Sequence, residues 1–507
     1  MTMATLRARL QALSPVLLQG IRRGIEKESL RALPDGSLAL TPHPAALGSP
    51  LTHSSVTTDF SESQLELITG VHADVDGCYA ELTQIHQFVC RAIADEYLWA
   101  GSMPCKLPPD ENIPIAVYGS SNVGLAKTVY RTGLGYRYGR RMQMISGIHY
   151  NWSMPGLNTE DYFGLIRNFR RHSFLLLYLF GASPAVCASF VTGREHELQP
   201  LARHTLQTPY GTSLRMGRLG YQSDAQAALA VSCNSLEQYA AQLQVALTLP
   251  YPAYEKIGIR GPQGDYRQLA TSVLQIENEF YSTIRPKRVI LPGERSLHAL
   301  RRRGVEYVEV RCMDLDPFLP VGIDTQTMRF IDLLLLYCLL GDSPPDTPQE
   351  IAALRRNQHL VADRGRDPAL RLDRSGQEVT LAEWGAEIVE ACAEIAVVLD
   401  ALHGGSGHRA AIDSAFAALQ DSAVLPSARV LATMAHDHDN SYVDFIRAQS
   451  ELAKGMLLGL PFAEDREAAF RELAQQSRQA QKRMEAADTV PFERYRESYL
   501  TEYSLGG

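Results

Sequence analysis

The chain has 507 residues, 45% of them hydrophobic and 21% charged, with a formal net charge of −8 at pH 7. This is an ordinary globular composition with ample material for a core. No basic stretch is long enough for a nucleic-acid arm, and no apolar run is long and unbroken enough to span a bilayer, so neither partner is expected.

The first 20 residues, MTMATLRARLQALSPVLLQG, predict an amphipathic helix ending near Gly20. They lack the apolar core and small-residue cleavage pattern of a signal peptide. Residues 21–72 read as short strands and turns, with Glu26 and Glu28 in RGIEKESL before a Pro34-Asp35-Gly36 turn. Asp59 closes the run SSVTTDF. The spacing of Ser61–Ile68 also admits a helix that Asp59 would cap and Glu66 would ride on. Residues 74–100 have helical spacing at Leu82, Ile85, Phe88, Val89, Ala92 and Ile93.

YGSSNVGLAKTVYRTGLGYRYGRR (118–141) mixes five glycines with Lys127, Arg131, Arg137, Arg140 and Arg141. It lacks the G-K-[ST] of a Walker A loop. It reads either as a solvated basic loop or as an anion-binding one. A strand over 142–154 carries His149 and Asn151, and a helix follows at 161–180. LQTPYGTSLRMGRLGYQ (206–222), with Arg215 and Tyr221, is turn-rich and suited to a binding loop. Residues 235–249 read as helical. Residues 269–290 read as a strand with Gln275, Glu277, Glu279 and Tyr281 on one face, followed by IRPKR. A strand over 305–312 and a helix over 325–341 complete the first region.

Beyond 345, Ala, Glu, Arg and Leu recur at helical period over 347–402 and 408–487, with loops around DRGRDP and at 403–408. This divides the chain into a sheet-and-helix core, 1–345, and a helical region, 346–507, packed on it. HDHDN (436–440) has metal-ligand residue types but reads as an exposed loop. The eight cysteines form no C-x-x-C pair, which fits reduced thiols in the cytoplasm.

The argument turns on RRRGVEYVEVRCMDLDPF (301–318). On a strand, Tyr307, Glu309 and Arg311 point the same way. A carboxylate and a guanidinium two apart on an apolar strand are costly to bury unless paired. Either they form a structural ion pair, or Glu309 binds a metal while Arg311 holds an anionic substrate. The same i, i+2 layout recurs at Glu26/Glu28, at His149/Asn151 and in LQIENEFY, and acids recur at Asp59 and Glu66. A sheet face lined with carboxylates needs cations.

RGIEKESLR, LTHSSVTTDFSESQLELIT, ISGIHYNWS, LFGASPAVC, TSLRMGRLGY, LQIENEFYSTIRPKR, GVEYVEVRCMDLDPF and MEAADTVPF together resemble the bacterial glutamate–cysteine ligases (γ-glutamylcysteine synthetases) of the class 1 type, from about Gly20 to Phe492. The resemblance implies an α+β fold of the glutamine synthetase kind, a curved antiparallel β-sheet funnel surrounded by helices. It implies ATP-dependent joining of the glutamate γ-carboxylate to the cysteine amine through γ-glutamyl phosphate. By motif, Glu26, Glu28, Asp59, Glu66, His149 and Glu309 would hold two or three Mg²⁺ ions, Mn²⁺ being possible. Arg311 would hold a substrate carboxylate. Arg215, Tyr221, Tyr281 and Tyr130 would shape the cysteine pocket, and Lys127, Arg131 and Arg285 would face ATP. It further implies a monomer, with glutathione a possible feedback ligand. Two competing readings are a glutamate–amine ligase with another acceptor and an inactive glutamate- or thiol-binding relative; the presence of every required acid argues against the second.

Overall fold

The computed structural model describes residues 2–506, apart from 221–223, 228 and 292. Twelve strands are present among the described residues: β1 (Arg22–Ala32), β2 (Val56–Thr58), β3 (Gln64–Ile68), β4 (Tyr97–Leu98), β5 (Ile148–Ser153), β6 (Ala185–Cys187), β7 (Gln199–Ala202), β8 (Thr205–Gln207), β9 (Ile284–Lys287), β10 (Tyr307–Met313), β11 (Arg371–Arg374) and β12 (Gln377–Thr380). The main sheet runs β2-β3-β1-β5-β10-β9, with β4 added to β1, and every pairing in it is antiparallel. β6–β8 and β11–β12 form two small separate sheets. The architecture is the expected α+β one, an open antiparallel sheet among helices.

Period-two alternation makes the sheet two-faced. One face carries Ile25, Leu65, Leu67, Tyr150, Trp152, Val308 and Val310, all buried. Helices cover this apolar face. Helix Val75–Ala92 buries Cys78, Leu82, Ile85 and Val89, and starts where the Asp74 side chain accepts from Gly77 N. Helix Thr159–His172 starts in a capping box of Asn158 and Asp161. Helix Thr325–Leu340 is apolar nearly all round, as a helix enclosed by others must be. Each fully buried leucine of 333–336 contributes about 2 kcal/mol relative to exposure. Buried residues of helices Leu381–His403, Gly407–Gln420 and Tyr442–Gly459 join the same apolar core.

Several expectations are corrected. The N-terminal helix is two, Met3–Ala12 and Pro15–Gln19, because Ser14 caps a new start and Pro15 cannot continue the old one. Ser61–Ile68 is not a helix: Gln64–Ile68 is β3, with Leu65 and Leu67 alternating into the core. The glycine-rich 118–141 is not a loop but mostly the helix Asn122–Tyr138. Its glycines permit close packing: a Cβ at Gly133 would lie 2.3 Å from Gln275 Oε1, and one at Gly124 the same distance from Tyr118 O. The strand expected over 142–154 begins only at Ile148, after a 3-10 turn at Arg141–Met144. The single helix expected over 161–180 is interrupted at Ser173. The face expected over 275–281 does not form, since Glu277–Glu279 is a 3-10 turn. The hairpin β11–β12 interrupts the helical C-terminal region.

Candidate active site

The pairing register carries the chemistry. Glu28 lies opposite Glu66, Glu26 opposite His149, Glu309 opposite Asn151 on one side and Arg285 on the other, and Tyr307 opposite Lys287. Residues directly across a pair point the same way. Glu66, Glu28, Glu26, His149, Asn151, Glu309, Arg311, Arg285 and Lys287 therefore share one face across five adjacent strands, β3 to β9.

At its centre, ligand atoms of Glu26, His149 and Glu309 lie within 4.8 Å of one another. His149 Nδ1 stands 3.4 Å from both Glu26 Oε2 and Arg311 Nη1, and its Nε2 is 3.8 Å from Glu28 Oε1. Burial, helped by the Arg311 charge, lowers the His149 pKa, so the ring is neutral and has a lone pair to give. Asn151 Nδ2 donates to Glu26 Oε1 at 2.9 Å, while Asn151 Oδ1 is buried without a partner. Glu309, 1% exposed, accepts from Arg311 Nη1 (3.0 Å) on one oxygen and from Lys287 Nζ (3.2 Å) on the other.

The carboxylates divide into two kinds. Burial opposes ionisation of Glu309, but Lys287 and Arg311 outweigh it and hold the carboxyl well below the usual range. Burial is likewise overcome at Glu26, chiefly by the hydrogen bond with His149. Glu28 is pushed up to about 8, by burial first and by Asp59 second. Glu66 is raised well above the ordinary value by burial and then by Glu26, Asp59 and Glu28. The face thus has more acid than its own cations neutralise. Oxygen donors in excess plus one neutral imidazole fit a hard divalent cation, with the imidazole favouring Mn²⁺ over Mg²⁺. Glu26, Glu28, Glu66, His149 and Glu309 are the residues that could hold one or more; Asp59 is beside them electrostatically.

The other expected residues surround this cluster. Arg131, from helix Asn122–Tyr138, donates to the Asp59 carbonyl and lies over the Tyr118 ring, as does Lys127. Tyr130 and Tyr281 are half-buried and share the neighbourhood of Glu279 and Asp59. Arg285 is buried and donates through Nη2 to the carbonyls of Asn278 and Phe280; burial and Arg311 lower it to about 10. Arg215, 2% exposed, is packed against Gly147 and donates to the Arg311 carbonyl at 2.8 Å. Tyr221 lies outside the described residues. Glu277 and Glu279 lie off the face in buried pairs with Arg295 (2.8 Å) and Arg137 (2.9 Å). His436 of the HDHDN run is 85% exposed, but it and Asp437 end the helix Pro426–Asp437, so the run expected to be a loop begins in a helical turn.

Two residues were missed by sequence reasoning. Lys287 obeys the same i, i+2 rule as Glu309 and Arg311, two after Arg285, and was legible on that ground. Gln143, buried beside Tyr281, comes from a 3-10 turn that no periodicity marks.

A cavity of about 250 Å³ adjoins the cluster and shares Tyr130 and Arg131 with it. Lys127, Ile276, Asn278 and Tyr495 help line it, together with Glu277 and Glu294, which are paired with Arg295 and Arg303.

Residues 8–361 match the family model described as glutamate-cysteine ligase. The chain is 47% identical over 501 residues to a glutamate–cysteine ligase of Pseudomonas fluorescens, covering 95% of this chain and 94% of that one. It is 44% identical over 509 residues to one of Saccharophagus degradans, with 96% of each covered. Among solved structures, the Francisella tularensis glutamate–cysteine ligase in complex with AMP superposes with a TM-score of 0.91 at 35% identity, over 96% of this chain and 98% of that one. A bifunctional glutathione synthetase of Pasteurella multocida has the same fold over 57% of its length, with a TM-score of 0.71.

Proposed function

This chain belongs to the glutamate–cysteine ligase family, and from that premise we propose how its side chains divide the work. The enzyme joins the γ-carboxylate of glutamate to the amine of cysteine at the expense of ATP, the first step of glutathione biosynthesis.

A carboxylate does not acylate an amine because its oxygen is a poor leaving group. The γ-carboxylate first attacks the γ-phosphorus of ATP, giving γ-glutamyl phosphate and ADP. The cysteine amine then attacks the acyl carbon and expels phosphate. In the first step one anion approaches another, so the protein's task is positioning and charge neutralisation. Mg²⁺, two or three ions held by Glu26, Glu28, Asp59, Glu66, His149 and Glu309, would supply most of that neutralisation, and Mn²⁺ would serve as well.

Arg311 is fixed at its head by Glu309 and can present its remaining N–H groups to a substrate carboxylate. Arg131 and Lys127 line the cavity, which suits the triphosphate, and Arg285 on β9 is assigned to the same anion. The cavity's aromatic and aliphatic walls suit the adenine. Tyr130 and Tyr281, with Arg215 and Tyr221, are assigned to the cysteine pocket. We further place the enzyme in the cytoplasm as a monomer, with glutathione, which carries the same γ-glutamyl group, as a feedback ligand. All eight cysteines are free and buried, as a reducing compartment allows, and no described helix is long and apolar enough to cross a membrane.

The observation that carries the assignment is the shared face on which Glu28 and Glu66 are left without enough cations. The test is phosphate release from ATP with glutamate, Mg²⁺ and a panel of amines, with mass analysis of products, on wild type and on Glu28→Gln. The expected result is γ-glutamylcysteine from wild type and a raised Mg²⁺ requirement in the variant. An unchanged Mg²⁺ dependence would remove Glu28 from the ligand set.

A further inference from the structure

We propose that Lys287 is the cation that accompanies the transferring phosphoryl group: its ammonium gives up Glu309 when the metal site fills, and takes the γ-phosphoryl oxygens instead. The inference rests on the metal-ligand reading above.

A metal at Glu309 would share each oxygen with a cation already there. Both its oxygens are occupied, by Lys287 at 3.2 Å and Arg311 at 3.0 Å, and the same side chain must meet Glu26 and His149 around one ion. A divalent ion repels a cation on the oxygen it binds, which favours displacement of the weaker-held of the two. Arg311 is the better held. It lies on the interior strand β10, its guanidinium also reaches His149, and its carbonyl is tied to Arg215. Lys287 lies on the edge strand β9, and its side chain is 26% exposed. Among the described residues its ammonium makes one hydrogen bond, to Glu309. A compact charge on a flexible four-carbon stem moves at little cost, whereas a planar fork held at two points does not.

The place it moves to follows from the chain. β9 runs on into residues 288–294, of which Ile290, Gly293 and Glu294 wall the cavity that also holds Lys127 and Arg131. Lys287 lies three residues before Ile290, within about 10 Å of that wall along the chain, while its ammonium reaches Glu309 of the trio. In the transfer, a γ-carboxylate oxygen forms a bond to the γ-phosphorus while the bond from that phosphorus to the β,γ-bridging oxygen breaks. The electron pair leaves with ADP, and no proton changes hands. The negative charge on the equatorial oxygens persists throughout, and a mobile ammonium can remain on them from donor to acceptor.

The experiment compares Lys287→Met, Lys287→Arg and Glu309→Gln for Mn²⁺ binding without nucleotide, read by the electron paramagnetic resonance of free Mn²⁺, and for steady-state kinetics. Losing the competitor should make Lys287→Met bind Mn²⁺ about tenfold more tightly, while kcat falls about 100-fold with the glutamate KM unchanged. Lys287→Arg keeps a cation on Glu309, so its Mn²⁺ affinity should stay at the wild-type level, with a smaller loss of kcat. Unchanged or weaker Mn²⁺ binding by Lys287→Met, or an unchanged kcat, would overturn the inference and leave Lys287 as a structural partner of Glu309. If instead Glu309→Gln binds Mn²⁺ as tightly as wild type, the metal reading itself fails, whatever Lys287 does.

Discussion

On one face of β1 and β5, Arg23 and Tyr150 close around Asp332; on the other, Glu26, Glu28 and His149 stay open. The closed group is complete. Asp332 accepts from Arg23 Nε at 3.1 Å and Nη2 at 2.9 Å on one oxygen, and from Tyr150 at 2.8 Å on the other. Arg23 spends its remaining reach on the Ala73 carbonyl. No part of it is exposed by more than 5%. The open group has acids left over, a buried Asn151 oxygen with no partner, and a neutral imidazole. Both groups are buried, charged and on the same two strands. What separates scaffold from site is whether the hydrogen bonds close, not whether charges are present.

Substitutions on the two faces should therefore break different things. Arg23→Met leaves Asp332 as an uncompensated buried carboxylate, and unfolding in urea should show a loss of about 3–5 kcal/mol. Glu309→Gln removes a proposed metal ligand. Its turnover should fall about 1,000-fold, equivalent to about 4 kcal/mol, with a smaller loss of stability than Arg23→Met. A Glu309→Gln protein as unstable as Arg23→Met would show that the site face is scaffold too.

Protons sharpen the same contrast. Glu28 (about 8) enters the metal-free site protonated at neutral pH, held so first by burial, and Glu66 is raised in the same direction by the same cause. A divalent ion must expel those protons. Mn²⁺ binding should tighten as pH rises towards 8 and should release about one to two protons at pH 7, read by calorimetry in two buffers of different ionisation enthalpy. The stability sign agrees. The folded carboxyls keep protons that the unfolded chain has shed, so the metal-free fold loses stability as pH rises from the ordinary carboxyl value through about 8. Its melting temperature should fall over that window, and Mg²⁺ should restore it. Metal binding without proton release would mean that these two acids are not ligands.

The alternation that makes the two faces was readable in advance within β1, β5 and β10, because strand parity puts Glu26 with Glu28, His149 with Asn151 and Glu309 with Arg311; the pairing register then joins them on one side. Closure was not readable. Glu277 and Glu279 have the same spacing as Glu309 and Arg311, yet they turn away into pairs with Arg295 and Arg137, partners that no local pattern announces. Asp332 sits in FIDLLLLYCLL as an anomaly until Arg23, 309 positions away, explains it. The glycines of 118–141 misled for a related reason. Glycine signals backbone freedom in a loop but also tight packing on a helix, and Gly133 against Gln275 is the second case. Strand parity is local information, whereas completion of a polar group is tertiary.

A subtler contrast uses Arg311→Lys. It keeps the charge beside Glu309 and loses the fork. If Arg311 orients a substrate carboxylate, the glutamate KM should rise about tenfold while stability holds, because only the bound substrate needs both prongs. An unchanged KM would assign Arg311 to Glu309 alone, making that half of the open face closed after all.

The mildest expected effect comes from Tyr150→Phe. It lies between His149 and Asn151 in sequence, within about 4 Å of both along the strand by backbone spacing, yet its hydroxyl faces the other way, to Asp332. If proximity governed, the change would disturb the metal trio. If strand parity governs, only the closed group loses a hydrogen bond, and Asp332 still has Arg23 on its other oxygen. Stability should then drop by about 1 kcal/mol, with kcat and Mn²⁺ affinity at wild-type values. Loss of Mn²⁺ affinity in Tyr150→Phe would show that the two faces are coupled through β5, and that the closed side helps to aim His149.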